Sequence, residues 1–138
     1  MKTHKLPPAQ KGKTGQVSLN GVKLETLELK TLTFLKLHGF KIEIVKPVNT
    51  PKANNPDILM NGVLWEIKTP ITSSQKTIKK RIHKASLQSN HIIFDLRHIK
   101  PNAAEQIQKD IIKRFTEKRT LRRMLLISND GALIDFRK

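Results

Sequence analysis

Asp57, Glu66 and Lys68 are the residues of this sequence whose types and spacing point most directly to chemistry. They bracket two apolar runs, DILM and VLWEIK, joined by Asn61–Gly62. Asn-Gly between such runs is the strongest short-range hairpin signal, because its turn needs positive φ at both central residues. A two-residue turn fixes the register. Met60 is expected opposite Val63, Leu59 opposite Leu64, Ile58 opposite Trp65, and Asp57 opposite Glu66. Residues directly opposed on neighbouring strands have Cβ atoms roughly 4.5–5.5 Å apart, so two carboxylates there repel unless a cation lies between them. Alternation puts Lys68 on the face of Glu66, and Trp65 and Ile67 on the other, where Trp65 is expected in the core. Hard oxygen donors from Asp57 and Glu66, with the Ile67 carbonyl, suit Mg²⁺ or Mn²⁺, with Zn²⁺ as a further candidate. Such an ion lowers the pKa of a bound water and stabilises charge growing on a phosphate. Lys68 is placed to hold that water or to stabilise the transition state. The chemistry expected is attack of water on a phosphodiester. Glu-x-Lys alone is commonplace on solvated hairpin faces; the fixed register and the charge of the whole chain lift it above that background.

That charge is +16, from 27 Lys and Arg against 11 Asp and Glu. A domain this basic favours a polyanion, because each phosphate it neutralises releases condensed counterions. Cysteine is absent, which excludes disulfides, thiolate metal sites and cysteine nucleophiles. The five histidines show no metal-ligand spacing, although His83 and His91 flank the basic region. No apolar run approaches the length of a membrane span, so a soluble protein is expected.

The elements that must position these residues follow from periodicity. Residues 1–20 have Pro7–Pro8, two glycines and many cations, and read as a flexible basic arm or linker ahead of a single domain at 21–138. Residues 24–38 carry Leu24, Leu27, Phe34 and Leu35 near helical spacing, closed by Gly39 as a C-cap with Phe40 beyond it. KIEIVK at 41–46 alternates as a strand before Pro47, and 48–56 is a loop of turn formers. After the hairpin, a helix is expected over 74–89, with Ser73 or Ser74 as N-cap and Ile78, Ile82 and Ala85 as its apolar stripe. HIIFDLR reads as a strand, and 102–119 as a helix striped by Ile107, Ile111 and Phe115. MLLIS and ALIDF form a second hairpin around Asn129–Asp130–Gly131. The order predicts a mixed α/β domain around one sheet.

Pro56–Asp57, eight residues, then Glu66–Ile67–Lys68 resembles the PD-(D/E)XK nuclease motif. The helix–strand–strand–strand–helix–strand order from residue 24 to 97 resembles the restriction-endonuclease-like core of that superfamily, here followed by a helix and a C-terminal hairpin. The stretch from Pro56 to Arg97 further resembles the C-terminal nuclease domains of contact-dependent growth inhibition and related polymorphic toxins, several of which cleave transfer RNA. The resemblance implies Asp57 and Glu66 as metal ligands and Lys68 as the catalytic lysine. It also implies an acid from the first helix, for which Glu28 is the first candidate and Glu25 the second. A residue of the second core helix near the site is implied as well, with Gln88 and Lys84 as candidates. Independently, Lys76, Lys79, Lys80, Arg81 and Lys84 make that helix cationic, placing Lys79, Lys80 and Lys84 as contacts to a substrate backbone. Asp95 and Arg97 point away from the Phe94 face; Arg97 is a further candidate contact, and an ion pair between the two would account for them equally.

The function expected is therefore a metal-dependent nuclease acting on nucleic acid, with tRNA favoured by the toxin resemblance and DNA as the other substrate. A toxin of this kind is secreted or delivered from a cell surface, acts in the target-cell cytoplasm, and needs an immunity protein, expected to be acidic by charge complementarity. Two other classes fit the residues. A metal-independent ribonuclease would use Lys68, Thr69, His83 and Glu66 for proton transfer through the 2′-hydroxyl. A non-catalytic basic module would bind nucleic acid by charge alone.

Overall fold

The computed structural model describes residues 1–10, 12–45, 58–72 and 74–138. Asp57, the 48–56 loop and Ser73 lie outside the described residues. Those described form eight strands and three helices. The strands are β1 (Lys2–Lys5), β2 (Gln16–Ser18), β3 (Lys41–Ile44), β4 (Ile58–Met60), β5 (Val63–Lys68), β6 (His91–Asp95), β7 (Arg123–Ile127) and β8 (Leu133–Arg137). The helices are α1 (Thr26–Leu37), α2 (Gln75–Gln88) and α3 (Pro101–Glu117). One mixed sheet runs in the order β1-β8-β7-β6-β5-β4-β3-β2, in keeping with the mixed α/β class.

The hairpin takes the expected register, with Met60 opposite Val63, Leu59 opposite Leu64 and Ile58 opposite Trp65. Asn61 and Gly62 both have positive φ, 51° and 80°, as a tight turn matched to the strand twist requires. From β5 the sheet turns parallel. Glu66 lies beside Ile92 and Lys68 beside Phe94, while β6 and β7 also run parallel. Such neighbours need crossover helices, and α2 and α3 supply them.

Helix ends follow local chemistry. Gly39 has φ +90°, its N–H bonds Lys36 O at 3.0 Å, and the Phe40 N–H bonds Leu35 O at 3.2 Å. This glycine-terminated closure satisfies two carbonyls at the end of α1. Ser74 caps α2 by accepting from the Thr77 N–H at 3.3 Å. Pro101 stands in the first turn of α3, where its missing N–H costs nothing.

The sheet separates two cores. Ile78, Ile82 and Ala85 of α2 and Ile107, Ile111 and Phe115 of α3 pack with Ile92, Phe94, Met124 and Phe136 on one face. Leu32 and Leu35 of α1 pack with Trp65, Ile67, Ile93 and Leu125 on the other. Trp65 is 1% exposed, a core residue as expected. The arrangement is three layers, a helix, the sheet and a helix pair.

Residues 1–20, expected as a flexible arm, contribute both edge strands. β1 pairs antiparallel with β8, and β2 pairs parallel with β3. All four residues of β1 are exposed, so no alternation of apolar and polar residues announces it; its backbone bonds to β8 hold it. Gly15 sits where an added Cβ would meet Phe40 O at 1.9 Å, so only glycine allows β2 to approach the end of α1.

Candidate active site

Glu66 and Lys68 lie two residues apart on β5 and share the α2 face of the sheet, as alternation requires. The Lys68 ammonium is 3.1 Å from Glu66 Oε1, with the Glu66 side chain 3% exposed and that of Lys68 17%. The pair is therefore largely withdrawn from water, where a charge–charge contact is screened much less than at the surface. Lys68 ends its strand at the edge from which α2 departs.

There Lys68 joins α2 in lining an open cleft of about 740 Å³. Lys76, Lys79, Lys80, Arg81 and Lys84 share that lining with Thr77 and His83. Six permanent cations thus meet in one depression, and no described acid lines it. The helix itself holds no Asp or Glu between Gln75 and Gln88. Lys76–Lys80 and Lys80–Lys84 are like-charge pairs at helical i,i+4 spacing, each destabilising by about 0.2–0.5 kcal/mol. The positive end of the α2 dipole adds to the same field. An arrangement that costs stability in the free protein is offset when an anion occupies it.

Among the expected contacts, Lys79, Lys80 and Lys84 are brought to Lys68. Gln88 is not: it ends α2 one turn beyond Lys84, outside the cleft lining. Arg97 is also placed elsewhere. Asp95, the last residue of β6, points to the α1 face, and Arg97 binds Asp95 Oδ2 at 2.8 Å and Lys30 O at 3.1 Å. The guanidinium lies 4.6 Å from the Phe34 ring centroid. An ion pair that fastens α1 accounts for both residues. Glu28 stands half-buried in the first turn of α1, in the layer opposite α2. Thr31, one turn further along, touches the end of β6, so the start of α1 and the end of β5 share one edge of the sheet. Asp57, by sequence the residue before β4, cannot be placed among these groups because it lies outside the described residues. Among the described residues no three His, Asp or Glu gather as a metal cluster.

Sequence reading placed His83 in the basic region without assigning its contact. Its Nδ1 is 2.8 Å from the ammonium of Lys118, the residue that caps the C-terminal end of α3. An ammonium can only donate, so Nδ1 accepts and the ring proton sits on Nε2. No sequence signal joins these residues, 35 positions apart, before α2 and α3 are packed.

The three-layer fold is similar to that of a chain in a solved structure. That structure is a CdiA-CT/CdiI toxin and immunity complex from Burkholderia pseudomallei, with TM-score 0.64, 21% identity, and coverage of 90% of this chain and 100% of that one. At that identity the likeness concerns the fold. The family model described as contact-dependent growth inhibition CdiA C-terminal domain matches residues 54–133, more than half of the chain. No curated protein matches. The chain belongs to the CdiA C-terminal domain family of contact-dependent growth inhibition. No described helix is long and apolar enough to cross a membrane.

Proposed function

We propose that this toxin domain is a metal-assisted nuclease of the PD-(D/E)XK type, acting on tRNA within the target cell. One observation carries the reading: Lys68, paired with the buried Glu66, is one of six cations lining a cleft that no described acid lines. A carboxylate at that place is a hard oxygen donor, the kind Mg²⁺ and Mn²⁺ take, and Asp57 is the second donor in the motif. Bound there, the ion supplies an activated water and a counter-charge to the phosphate.

The residues of the chain do the remaining work. Glu66 holds the Lys68 ammonium at 3.1 Å, so the donor is aimed before substrate arrives and needs no reorganisation as charge develops. The α2 lysines bind backbone phosphates on either side of the scissile bond. Glu28 is the first-helix acid in this reading.

The test is one panel. Total tRNA, rRNA and plasmid DNA are incubated with Mg²⁺, Mn²⁺, Zn²⁺ or EDTA, beside Asp57→Ala and Lys68→Ala proteins. Cleavage of tRNA that requires a divalent ion and both side chains supports the reading; EDTA-resistant cleavage overturns it. The tautomer of His83 favours a second reading, a metal-independent ribonuclease with His83 Nε2–H as a proton donor. Its signature is EDTA-resistant cutting that leaves 2′,3′-cyclic phosphate ends. Retained binding with no cleavage of any substrate would leave a basic binding module.

An immunity protein is the partner this reading requires, as the Burkholderia pseudomallei toxin has one in its complex. Against a +16 surface its matching face is acidic. A co-expressed immunity protein whose binding is insensitive to salt would count against that match.

A further inference from the structure

The cleft beside Lys68 offers six cations to phosphates, and among its lining residues the His83 imidazole is the one ring on which a base can stack. The sequence has five Phe, one Trp and no Tyr, and all six rings are accounted for. Trp65, Phe94, Phe115 and Phe136 are buried. Phe34 stacks on His38 under Arg97, and Phe40 packs into the α1-side core. None of them lines the cleft. Proteins that grip unpaired strands add base–aromatic stacking to a basic groove. A double helix hides its bases and presents phosphates in a fixed array, which proteins read by shape and backbone contact.

The cations are set out for such an array. Lys76, Lys80 and Lys84 stand at four-residue intervals, a stripe of about 12 Å at ~1.5 Å rise per residue. Beside that stripe Lys79 and His83 also border a second depression, lined further by Arg114, which is paired with Asp110, by Glu117 of α3 and by its C-cap Lys118. The basic surface therefore spans two helices. A duplex carries a charge every ~1.7 Å of axis against ~3.4 Å for one strand, so a paired substrate brings roughly twice the charge per unit length to the stripe.

We propose that the cleft takes a base-paired stretch of nucleic acid and grips its backbone across α2 and α3. This rests on the nuclease reading only for where the bond is cut; the grip is measurable without cleavage.

The experiment follows binding to the full chain in EDTA by fluorescence anisotropy. The labelled probes are an RNA duplex of about two helical turns, the DNA duplex of the same sequence, and an unstructured oligouridine of equal length. Titrations are run at about 50 and 200 mM salt, a range over which phosphate contacts change affinity strongly. The RNA duplex is expected to bind at least about tenfold more tightly than oligouridine, with the steeper salt dependence. Lys118→Gln, at the end of α3, is expected to weaken duplex binding severalfold and oligouridine binding less than about twofold, with Lys79→Gln as its counterpart on α2. Equal binding of both duplexes assigns recognition to phosphate geometry; preference for RNA adds a contribution from the 2′-hydroxyl. Oligouridine bound as tightly as the duplex overturns the proposal. A chain that grips duplex and cuts nothing under any metal would lose the nuclease reading and keep this one; a chain that cuts but prefers the unpaired strand does the reverse.

Discussion

Thr31 of α1 donates its hydroxyl to Oδ2 of Asp95 on β6 across 2.6 Å, and both residues are fully buried. Arg97 binds the same carboxylate at 2.8 and 3.0 Å. The node ties the first turns of α1 to the sheet edge where β5 delivers Lys68. Asp95→Asn should lower stability by about 1–3 kcal/mol, because a half-buried guanidinium loses its counter-charge. Thr31→Val should cost about 1 kcal/mol, and Thr31→Ser should recover most of it. Urea unfolding with an unchanged slope reads both.

Stability should fall in two stages on acidification. Burial lowers the pKa of His91, with the positive charge of Arg123 adding to it. The unfolded chain therefore takes up a proton near 6.5 that the folded chain resists, and stability drops below that pH until the folded value is passed. Asp95 and Asp135 behave oppositely in charge. Burial tends to raise both, but hydrogen bonds from Arg97 and Thr31, and from Arg123 and Arg137, outweigh it and hold both below 3.8. Their contribution is complete above the unfolded value and is lost as pH falls through the folded one. Urea midpoints between pH 8 and 3 test the order, and His91→Gln should remove the first stage.

Lys68→Ala should reduce the rate of cleavage by about 100-fold or more, in the range found when a preorganised charge-stabilising donor is removed. Single-turnover kinetics beside a circular dichroism spectrum separates lost chemistry from lost fold. A variant folded and fully active would remove Lys68 from the mechanism.

Lys80→Glu turns two like-charge pairs on α2 into two opposite ones. The helix should gain about 0.4–1 kcal/mol per pair, the repulsion lost plus the attraction formed, seen as a higher Tm, while nucleic-acid affinity falls. Gain of stability with undiminished affinity would mean that the α2 cations are ordinary solvated charges.

Two glycines should resist replacement. Gly15→Ala places a methyl against Phe40 O and should detach β2, with rapid hydrogen exchange at Gln16–Ser18 as the readout. Gly62→Ala forces a side chain to φ 80° and should cost about 1–2 kcal/mol by denaturation.

The sequence carried the hairpin most legibly, because Asn61–Gly62 admits one register and that register assigns every side chain of β5 to a face. The three helices were readable from their stripes, and Gly39 and Ser74 from the chemistry of helix ends. β1 and β2 were not. KTHK and QVS are short and have little apolar patterning, and only the strands beside them make them strands. At the site, Lys68 and the α2 lysines were legible because a strand and the next helix must meet at one sheet edge. Gln88 and Arg97 were misplaced for geometric reasons. The first is a helical turn too far along, and the second is captured by the acid two residues before it.

The single tryptophan of the chain is Trp65, the residue before Glu66. Its ring lies 5.0 Å from that of His91, and the Arg123 guanidinium lies 5.1 Å from its centroid. Intrinsic fluorescence of this protein is therefore an optical signal from β5 alone, with no second indole to average it. Emission followed during unfolding, immunity-protein binding or substrate capture reports the strand that carries the acid and the lysine, with no label attached.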